Sequence, residues 1–206
     1  MSQGLCRKSK LWSERGREEL ESLSLGPWAR RRRQELLALL DQLQPQIAEL
    51  DVAVAQAAAA DPAAVDLMTQ KGVGPVTALA FVLTLGPVER FQNSRQVVSY
   101  LGLNPREHSS GGRQRLGGIS KQGNPLMRWL LVEAAQTAVR FDPELRRKYQ
   151  PLKFRRGGSV AKVALARRLA VRLYWRLRQR KAETQPVRMP GSSGSAVVLP
   201  RAGSRH

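Results

Sequence analysis

The sequence predicts an all-α protein. Apolar residues recur at helical spacing over most of the 206 residues, and Asp-Pro, Asn-Pro or Gly boundaries separate these stretches. No stretch shows convincing strand alternation, and no run of about 18 apolar residues could span a membrane. The amino terminus lacks the apolar stretch of a signal peptide, and the single Cys6 excludes an internal disulfide framework. We therefore expect a cytoplasmic protein.

The charge is the most unusual feature of the composition. The chain has 35 Lys and Arg against 16 Asp and Glu, a net charge of +19 and an isoelectric point near 11.5. Residues 61–104 are neutral, whereas residues 105–181 contain twenty basic and four acidic residues. This uneven distribution favours a nucleic acid as partner over an anionic membrane surface or a solvated face.

The sequence divides into four regions. Residues 1–27 are polar and irregular, with a short helix predicted around 14–23, and residues 28–60 form one long helix. Residues 61–181 form a helical domain, and the Gly-, Ser- and Pro-rich residues 182–206 are predicted to be a disordered tail.

Apolar residues of the long helix repeat every three or four positions, as in a coiled coil: Leu36, Leu40, Leu43, Ile47, Leu50 and Val54. This seam predicts either a coiled coil, within the chain or between two chains, or a helix packed on its own domain. Pro45 predicts a kink or break.

A helix-hairpin-helix pattern opens the third region. Asp61 and Pro62 predict a helix start, Gly72-Val73-Gly74 a tight turn, and Pro75 the start of a second helix that ends at Gly86. Glycines in such a turn let backbone N–H groups approach a phosphate closely. Gly72 and Gly74 are therefore candidate phosphate contacts, although a plain helix-helix turn has the same pattern.

The remaining helices have similar start signals. Asn93 or Ser94 predicts a short helix closing at Gly102, Asn124-Pro125 one that runs to about Phe141, and Asp142-Pro143 a basic one ended by Gly157-Gly158. The predicted apolar face after Asn124 consists of Leu126, Leu130, Leu131, Ala134, Ala135 and Ala138. Ser159 is expected to cap the last helix, which alternates apolar residues with Arg167, Arg168, Arg172, Arg176 and Arg178.

The segment PREHSSGGRQRLGGISKQGN, residues 105–124, is the candidate site. A serine hydroxyl attacks phosphorus when a base accepts its proton and cations neutralise the phosphate oxygens. Ser109 and Ser110 precede Gly111 and Gly112, and His108 could serve as base or contact phosphate. Arg side chains suit phosphate oxygens because of their forked geometry. The candidate phosphate contacts here are Arg106, Arg113, Arg115 and Lys121, with Arg128, Arg168 and Arg172 on the later helices. Residue chemistry alone favours a flexible binding loop over a catalytic one.

The stretches KGVGPVTALAFVLTLG and RFQNSRQVVSYLGLNPREHSSGGRQRLGGISKQGNPLMRWLLVEAA resemble the C-terminal transposase domain of the insertion-sequence families 110, 116 and 902. The resemblance covers residues 68–177 and is most specific over 100–135. It implies a DNA transposase, guided in several members by a structured RNA, whose serine attacks the DNA backbone to form a covalent phosphoserine link. Ser110 matches that position, with Ser109 as the second choice in the doublet. The heptad helix resembles the family's coiled coil, which implies a homo-oligomer.

The family's chemistry also needs an N-terminal RNase-H-like domain whose four acidic residues bind Mg²⁺. No acidic residue of this sequence matches those ligands, so we assign no metal ligand here and expect Mg²⁺ only with that domain. We expect the chain alone to bind DNA or RNA without completing transposition. The alternatives are a non-catalytic helix-hairpin-helix module left from a truncated transposase and, from charge alone, a ribosomal type of RNA-binding protein.

Overall fold

A computed structural model of the chain describes residues 13–107 and 116–184. The described part confirms the all-α prediction, apart from one short hairpin. The helices are α1 (Glu14–Ser22), α2 (Pro27–Ala60), α3 (Pro62–Met68), α4 (Pro75–Leu85), α5 (Ser94–Tyr100), α6 (Pro125–Phe141), α7 (Pro143–Arg156) and α8 (Gly158–Thr184). A 3-10 helix occupies Val88–Arg90, and the strands are β1 (Pro105–Glu107) and β2 (Leu116–Ile119). The chain divides into two units, Met1–Ala53 and Val54–His206.

In the first unit, polar contacts join α1 to α2. The guanidinium of Arg17 donates from Nη2 to Asp41 Oδ2 at 2.7 Å and from Nε to Glu21 at 2.9 Å. Arg33 donates to the carbonyl oxygens of Leu20 at 2.7 Å and Leu23 at 3.1 Å, where α1 ends. The sequence predicts a kink or a break at Pro45. The break does not occur, because α2 continues through Pro45 as one 34-residue helix, and the kink stays a prediction.

Most of the heptad seam on α2 is exposed. Leu36, Leu43, Ile47 and Leu50 have exposed fractions of 49%, 43%, 55% and 64%, and Leu40 and Val54 are half-buried. Apolar side chains leave water when they meet a partner. Within the first unit, no described residue covers these four positions.

Helix α8 supplies the centre of the second unit. Its buried face consists of Ala161, Leu165, Ala166, Leu169, Ala170, Leu173, Tyr174 and Leu177, and this face meets buried residues of α3, α5, α6 and α7. Burying one leucine of this kind stabilises the fold by about 1.5–3 kcal/mol. The hydroxyl of Tyr174 donates to the carbonyl oxygen of Phe91 at 3.0 Å, so its buried polar group is satisfied.

The predicted helix starts are largely confirmed. The side chains of Asp61, Asn93, Asn124 and Asp142 each accept hydrogen bonds from backbone N–H groups in the first turn of the helix that follows. Ser159 is an exception, because α8 begins at Gly158 and the serine lies inside the first turn. The predicted tail also begins too early, since α8 continues to Thr184. Leu126 is 58% exposed and does not belong to the buried face of α6, where Met127 is buried instead.

The hairpin corrects the expectation that no strand is present. Strands β1 and β2 pair antiparallel, with Pro105 opposite Ile119 and Glu107 opposite Leu116, and the register shifts between these two pairs. A strand of three residues and one of four offer too little alternation to be recognised in the sequence. The two strands bring the ends of the candidate loop together.

Candidate nucleic-acid interface

Most of the predicted loop residues lie outside the described part of the chain. They are His108, Ser109, Ser110, Gly111, Gly112, Arg113 and Arg115. The roles predicted for them stay predictions. The described residues around the loop are β1, β2 and the segment 120–124 that leads into α6.

Two glycines fix the base of the hairpin against the end of α5. Gly102 has φ of 67°, and a Cβ added there would lie 1.7 Å from the carbonyl oxygen of Gln122. Gly123 has φ of 85°, and its Cβ would lie 2.1 Å from the carbonyl oxygen of Tyr100. Two backbone segments therefore touch where any side chain would separate them. This close approach positions the strands that enter and leave the candidate loop.

Backbone hydrogen bonds hold the same junction. The backbone N–H of Ser120 donates to the carbonyl oxygen of Asn104 at 2.7 Å, and the backbone N–H of Lys121 donates to the carbonyl oxygen of Gly102 at 3.1 Å. Arg106 donates across the hairpin to the carbonyl oxygen of Ser120 at 3.2 Å. Lys121 adopts φ of 58°, a left-handed conformation that is uncommon for a residue with a side chain. The candidate cations Arg106 and Lys121 are thus both exposed at the base of the hairpin.

Arg128 has a structural task that its sequence context did not reveal. Its Nη1 donates to the carbonyl oxygens of Gln122 at 2.9 Å, Gly123 at 3.0 Å and Leu101 at 3.4 Å. This guanidinium therefore ties α6 to the hairpin base. Contact between Arg128 and a nucleic acid stays a prediction, and its structural bonds would have to persist or be exchanged on binding.

A groove of about 870 Å³ lies between the hairpin, α7 and α8. Its lining is mostly apolar and includes Leu103, Pro105, Ile119, Leu145, Val160, Val163, Ala164 and Val171. Lysines and arginines lie among these residues: Lys121, Lys148, Arg167, Arg168 and Arg172. We call the apolar lining residues the floor and the cations the rim, and Glu144 lines the same groove. The groove adjoins the strands that flank the candidate loop in the sequence.

The five groove cations differ in how far their charge is neutralised. Arg172 donates to Asp142 at 2.6 Å and to Glu144 at 3.1 Å, and Lys148 also bonds Glu144. The hydrogen bond from Lys148 lowers the pKa of the Glu144 carboxyl. Within 13–107 and 116–184, no carboxylate forms an ion pair with Lys121, Arg167 or Arg168. The groove rim therefore carries three cations that described acidic residues do not neutralise.

Asp142 caps α7 and accepts a hydrogen bond from the groove residue Arg172 on α8. Burial raises the pKa of its carboxyl, but the hydrogen bonds from Arg172 and from the backbone N–H groups of Leu145 and Glu144 outweigh burial and lower it overall. Sequence reasoning identified Asp142 only as a helix cap. Its pairing with Arg172 depends on how α7 packs on α8, which no local pattern reveals.

The two glycines of the α3–α4 turn differ in surroundings. Gly72 has φ of 83°, and a Cβ added there would lie 2.4 Å from the carbonyl oxygen of Ala134 and 2.5 Å from the amide nitrogen of Ala138. Gly74 is exposed, precedes α4 and has no atom within 4 Å of an added Cβ. Close packing against α6 therefore explains Gly72 without a ligand, whereas Gly74 lies at an open helix start. Phosphate contact at either glycine stays a prediction.

Sequence reasoning missed Arg167, Lys148 and the apolar floor as parts of one site. The available signal was the spacing of Val160, Val163, Ala164, Arg167 and Val171, which places them on one side of α8. Within the described ranges, no group of three or more His, Cys, Asp and Glu side chains could hold a metal ion. A search of the same residues finds no helix long and apolar enough to cross a membrane.

Fold and site together define a small, strongly basic helical domain with a two-stranded hairpin beside a cationic groove. Residues 64–150 match the sequence model described as "Transposase IS116/IS110/IS902 family". Residues 64–150 are therefore similar to the transposase domain of this family. The match begins four residues before the predicted start at Met68 and ends at residue 150, short of the predicted end at Leu177.

Curated relatives of this chain are also named transposases. A "Probable family 20 transposase" of Pseudomonas aeruginosa is 36% identical over 156 residues, covering 74% of this chain and 46% of the relative. The "Transposase for insertion sequence element IS1111A" of Coxiella burnetii is 40% identical over 114 residues, covering 53% of this chain and 31% of the relative. A "Transposase for insertion sequence element IS1328" of Yersinia enterocolitica is 33% identical, covering 63% of this chain and 40% of the relative. The chain thus matches less than half the length of each of these relatives.

Proposed function

We propose that this chain is the C-terminal region of an insertion-sequence transposase, which binds DNA and supplies a serine nucleophile for strand cleavage and exchange. The observation that carries the proposal is the family match over residues 64–150, which includes the whole candidate segment. The hairpin and the groove support it, because β1 and β2, which flank the Ser109-Ser110 segment in the sequence, contribute Pro105 and Ile119 to the groove lining.

DNA binding would rest on the cations of the second unit. Lys121, Arg167 and Arg168 line the groove without ion pairs to described carboxylates, and Arg106 is exposed on β1. Each cation that reaches a phosphate releases condensed counterions, so binding gains free energy from the solvent. These contacts position a strand without reading its sequence.

In the proposed cleavage step, the Oγ of Ser110 attacks the phosphorus of a DNA phosphodiester. A bond forms between Oγ and phosphorus, and the bond between phosphorus and the leaving sugar oxygen breaks. The serine proton passes to a base, for which His108 is the candidate in this chain, and the leaving oxygen takes up a proton. Cations near the nonbridging oxygens stabilise the charge that develops on them.

The proposed partners extend beyond this chain. An RNase-H-like domain would bring Mg²⁺ held by its own acidic residues, and a structured guide RNA would pair with the DNA. The exposed seam of α2 would join copies of the chain into a homo-oligomer. These are proposals for the whole transposase, of which the chain spans less than half of the length seen in its relatives.

The test joins this chain to the part of the Pseudomonas aeruginosa relative that precedes the match, and mixes the chimera with end-labelled DNA carrying that relative's insertion-sequence ends. The readout is a labelled protein–DNA adduct that survives a denaturing gel. Ser110→Ala is expected to abolish the adduct while leaving DNA affinity within about twofold. Ser99→Ala, at an exposed position on α5, is the matched control and should retain the adduct. An adduct that survives Ser110→Ala would contradict the assignment, and its loss in Ser109→Ala alone would move the role to the neighbouring serine.

The second candidate is a non-catalytic nucleic-acid-binding module. It is favoured by the groove cations, because Lys121, Arg167 and Arg168 could contact phosphates without any reaction of a serine. This candidate predicts DNA binding by the chimera with no adduct in any variant. Equal loss of affinity and adduct in Ser110→Ala would also favour a binding loop.

A further inference from the structure

The groove beside the hairpin has a lining that phosphate binding alone does not explain. Val160, Val163, Ala164 and Val171 present aliphatic side chains from α8, and Leu103 and Ile119 continue the apolar surface on the hairpin side. Val160 is 53% exposed. A surface built only for a DNA backbone needs cations and hydrogen-bond donors, and it gains nothing from an apolar floor.

The rim has the opposite character. Lys121, Arg167 and Arg168 line the same groove and form no ion pair with described carboxylates. Arg167 and Arg168 follow Val163 and Ala164 by one helical turn, so apolar and cationic side chains adjoin along α8. An occupant of matching chemistry has a flat apolar face next to an anionic group.

An unpaired nucleotide has this combination. Its base exposes a face that packs on apolar side chains, and its phosphate carries the negative charge. In a duplex the base faces are stacked inside, so a duplex could offer only its backbone to the rim. At about 870 Å³ the groove is in the size range of small-ligand pockets, which suits one or two nucleotides and not a double helix.

We propose that this groove binds unpaired nucleotides of a DNA or RNA strand, with bases on the aliphatic floor and phosphates on Lys121, Arg167 and Arg168. The inference rests on the proposed function, because it presumes a nucleic-acid partner. Beyond the proposed function, it specifies that the nucleic acid at this site is single-stranded, with unpaired bases. The hairpin base held by Gly102 and Gly123 keeps one wall of the groove in place.

The experiment compares three labelled probes on the full chain by fluorescence anisotropy at one salt concentration. The probes are a 12-nucleotide single strand, a strand of the same length with abasic sites in its middle half, and the corresponding duplex. Covering the faces of one or two bases with the aliphatic floor removes apolar surface from water, so the intact strand should bind roughly tenfold more tightly than the abasic one. Equal affinities for these two strands would overturn the proposal.

Two pairs of matched variants locate the effect. Val160→Glu places a negative charge in the groove, and Val65→Glu places the same charge at a 43% exposed position on α3 outside the groove. Arg167→Gln removes a rim cation, and Arg147→Gln removes one from an exposed position on α7 outside the groove. Each groove variant should reduce the affinity for the single strand at least about fivefold more than its control does. The added glutamate repels the phosphates, and the removed arginine no longer attracts them.

Ala164→Phe fills the groove without changing charge and should reduce the preference for the intact strand over the abasic strand. If this variant fails to fold by circular dichroism, the exposed Val160→Glu still tests the proposal. Binding of all three probes with equal affinity would support the proposed function and contradict this inference, leaving the floor to an apolar protein segment. Binding of none would contradict both.

Discussion

Gly72 lies where the turn between α3 and α4 meets α6. Its φ of 83° is left-handed, and the backbone of Ala134 and Ala138 occupies the space of a Cβ. The sequence makes this glycine a candidate phosphate contact or part of a plain helix-helix turn, and the structure shows a packing contact with α6. The two explanations predict different consequences for the same substitution.

We expect Gly72→Ala to lower the free energy of unfolding by more than about 1 kcal/mol, because the methyl group meets backbone atoms and the conformation is strained. Gly74→Ala, where an added Cβ has open space, should cost less. Urea unfolding followed by circular dichroism measures both. A Gly72→Ala variant as stable as the wild type, with reduced DNA affinity, would instead favour the phosphate role.

Asp142 is the residue whose protonation should matter most to the second unit. It caps α7 and accepts a hydrogen bond from Arg172 at 2.6 Å, and the net effect lowers the pKa of its carboxyl below the ordinary 3.8. Since the folded-state pKa lies below the unfolded one, this carboxylate stabilises the fold above the ordinary value. The contribution is lost as the pH falls through the folded-state pKa.

Asp142→Asn should therefore lower the free energy of unfolding by about 1 kcal/mol at about pH 7, where the charge-assisted bond is lost. As the pH falls below about 4 the wild type should lose more stability than the variant, because only the wild type still has this carboxylate to protonate. Asp51→Asn removes the same charge from an exposed position on α2 and serves as control. Parallel pH profiles for wild type and Asp142→Asn would contradict the assignment.

At the scale of elements, helix α2 leaves an apolar seam without a partner among the described residues. Leu43, Ile47 and Leu50 follow heptad spacing and are 43–64% exposed. The sequence predicts a coiled coil, within the chain or between two chains, or a helix packed on its own domain. These alternatives stay predictions, and association between chains can be measured directly in solution.

Ile47→Glu combined with Leu50→Glu should therefore lower the molar mass measured by light scattering from that of an oligomer to that of a monomer, since both changes place charges in the seam. Gln42→Glu combined with Ala48→Glu adds the same charge at positions outside the seam and should leave the oligomer intact. A wild-type chain that is monomeric at micromolar concentration would contradict the prediction.

Local signals predicted the helices well. Asp61, Asn124 and Asp142, each followed by proline, are caps whose hydrogen bonds involve only the next few residues, so the sequence contains what determines them. The hairpin was not predicted, because its strands are short. Their pairing also depends on the close backbone contacts that Gly102 makes with Gln122 and Gly123 makes with Tyr100. The predicted break at Pro45 does not occur, because one lost hydrogen bond does not end a 34-residue helix.

The candidate site was less predictable than the helices. Charge density indicated the polyanion partner, but it could not separate Arg128 and Arg172, which bond carbonyls and carboxylates, from Arg167 and Arg168, which line the groove without described acidic partners. That distinction arises only when α7, α8 and the hairpin come together. The groove itself has no counterpart in any single stretch of sequence.

For the whole molecule, the net charge of +19 has a thermodynamic consequence. If the basic second unit binds nucleic acid through phosphates, every neutralised phosphate releases counterions to the solvent. Affinity then falls steeply as salt rises. Binding dominated by apolar contacts would change little over the same range.

The most direct measurement is therefore the affinity of the full chain for a labelled single strand between about 50 and about 300 mM salt. With three rim cations engaged, the plot of log affinity against log salt should have a slope of roughly −2 or steeper, and Arg167→Gln combined with Arg168→Gln should reduce it by about 1. Arg147→Gln combined with Arg155→Gln, outside the groove, should reduce it less. A flat salt response of the wild type, or no binding at low salt, would contradict the account.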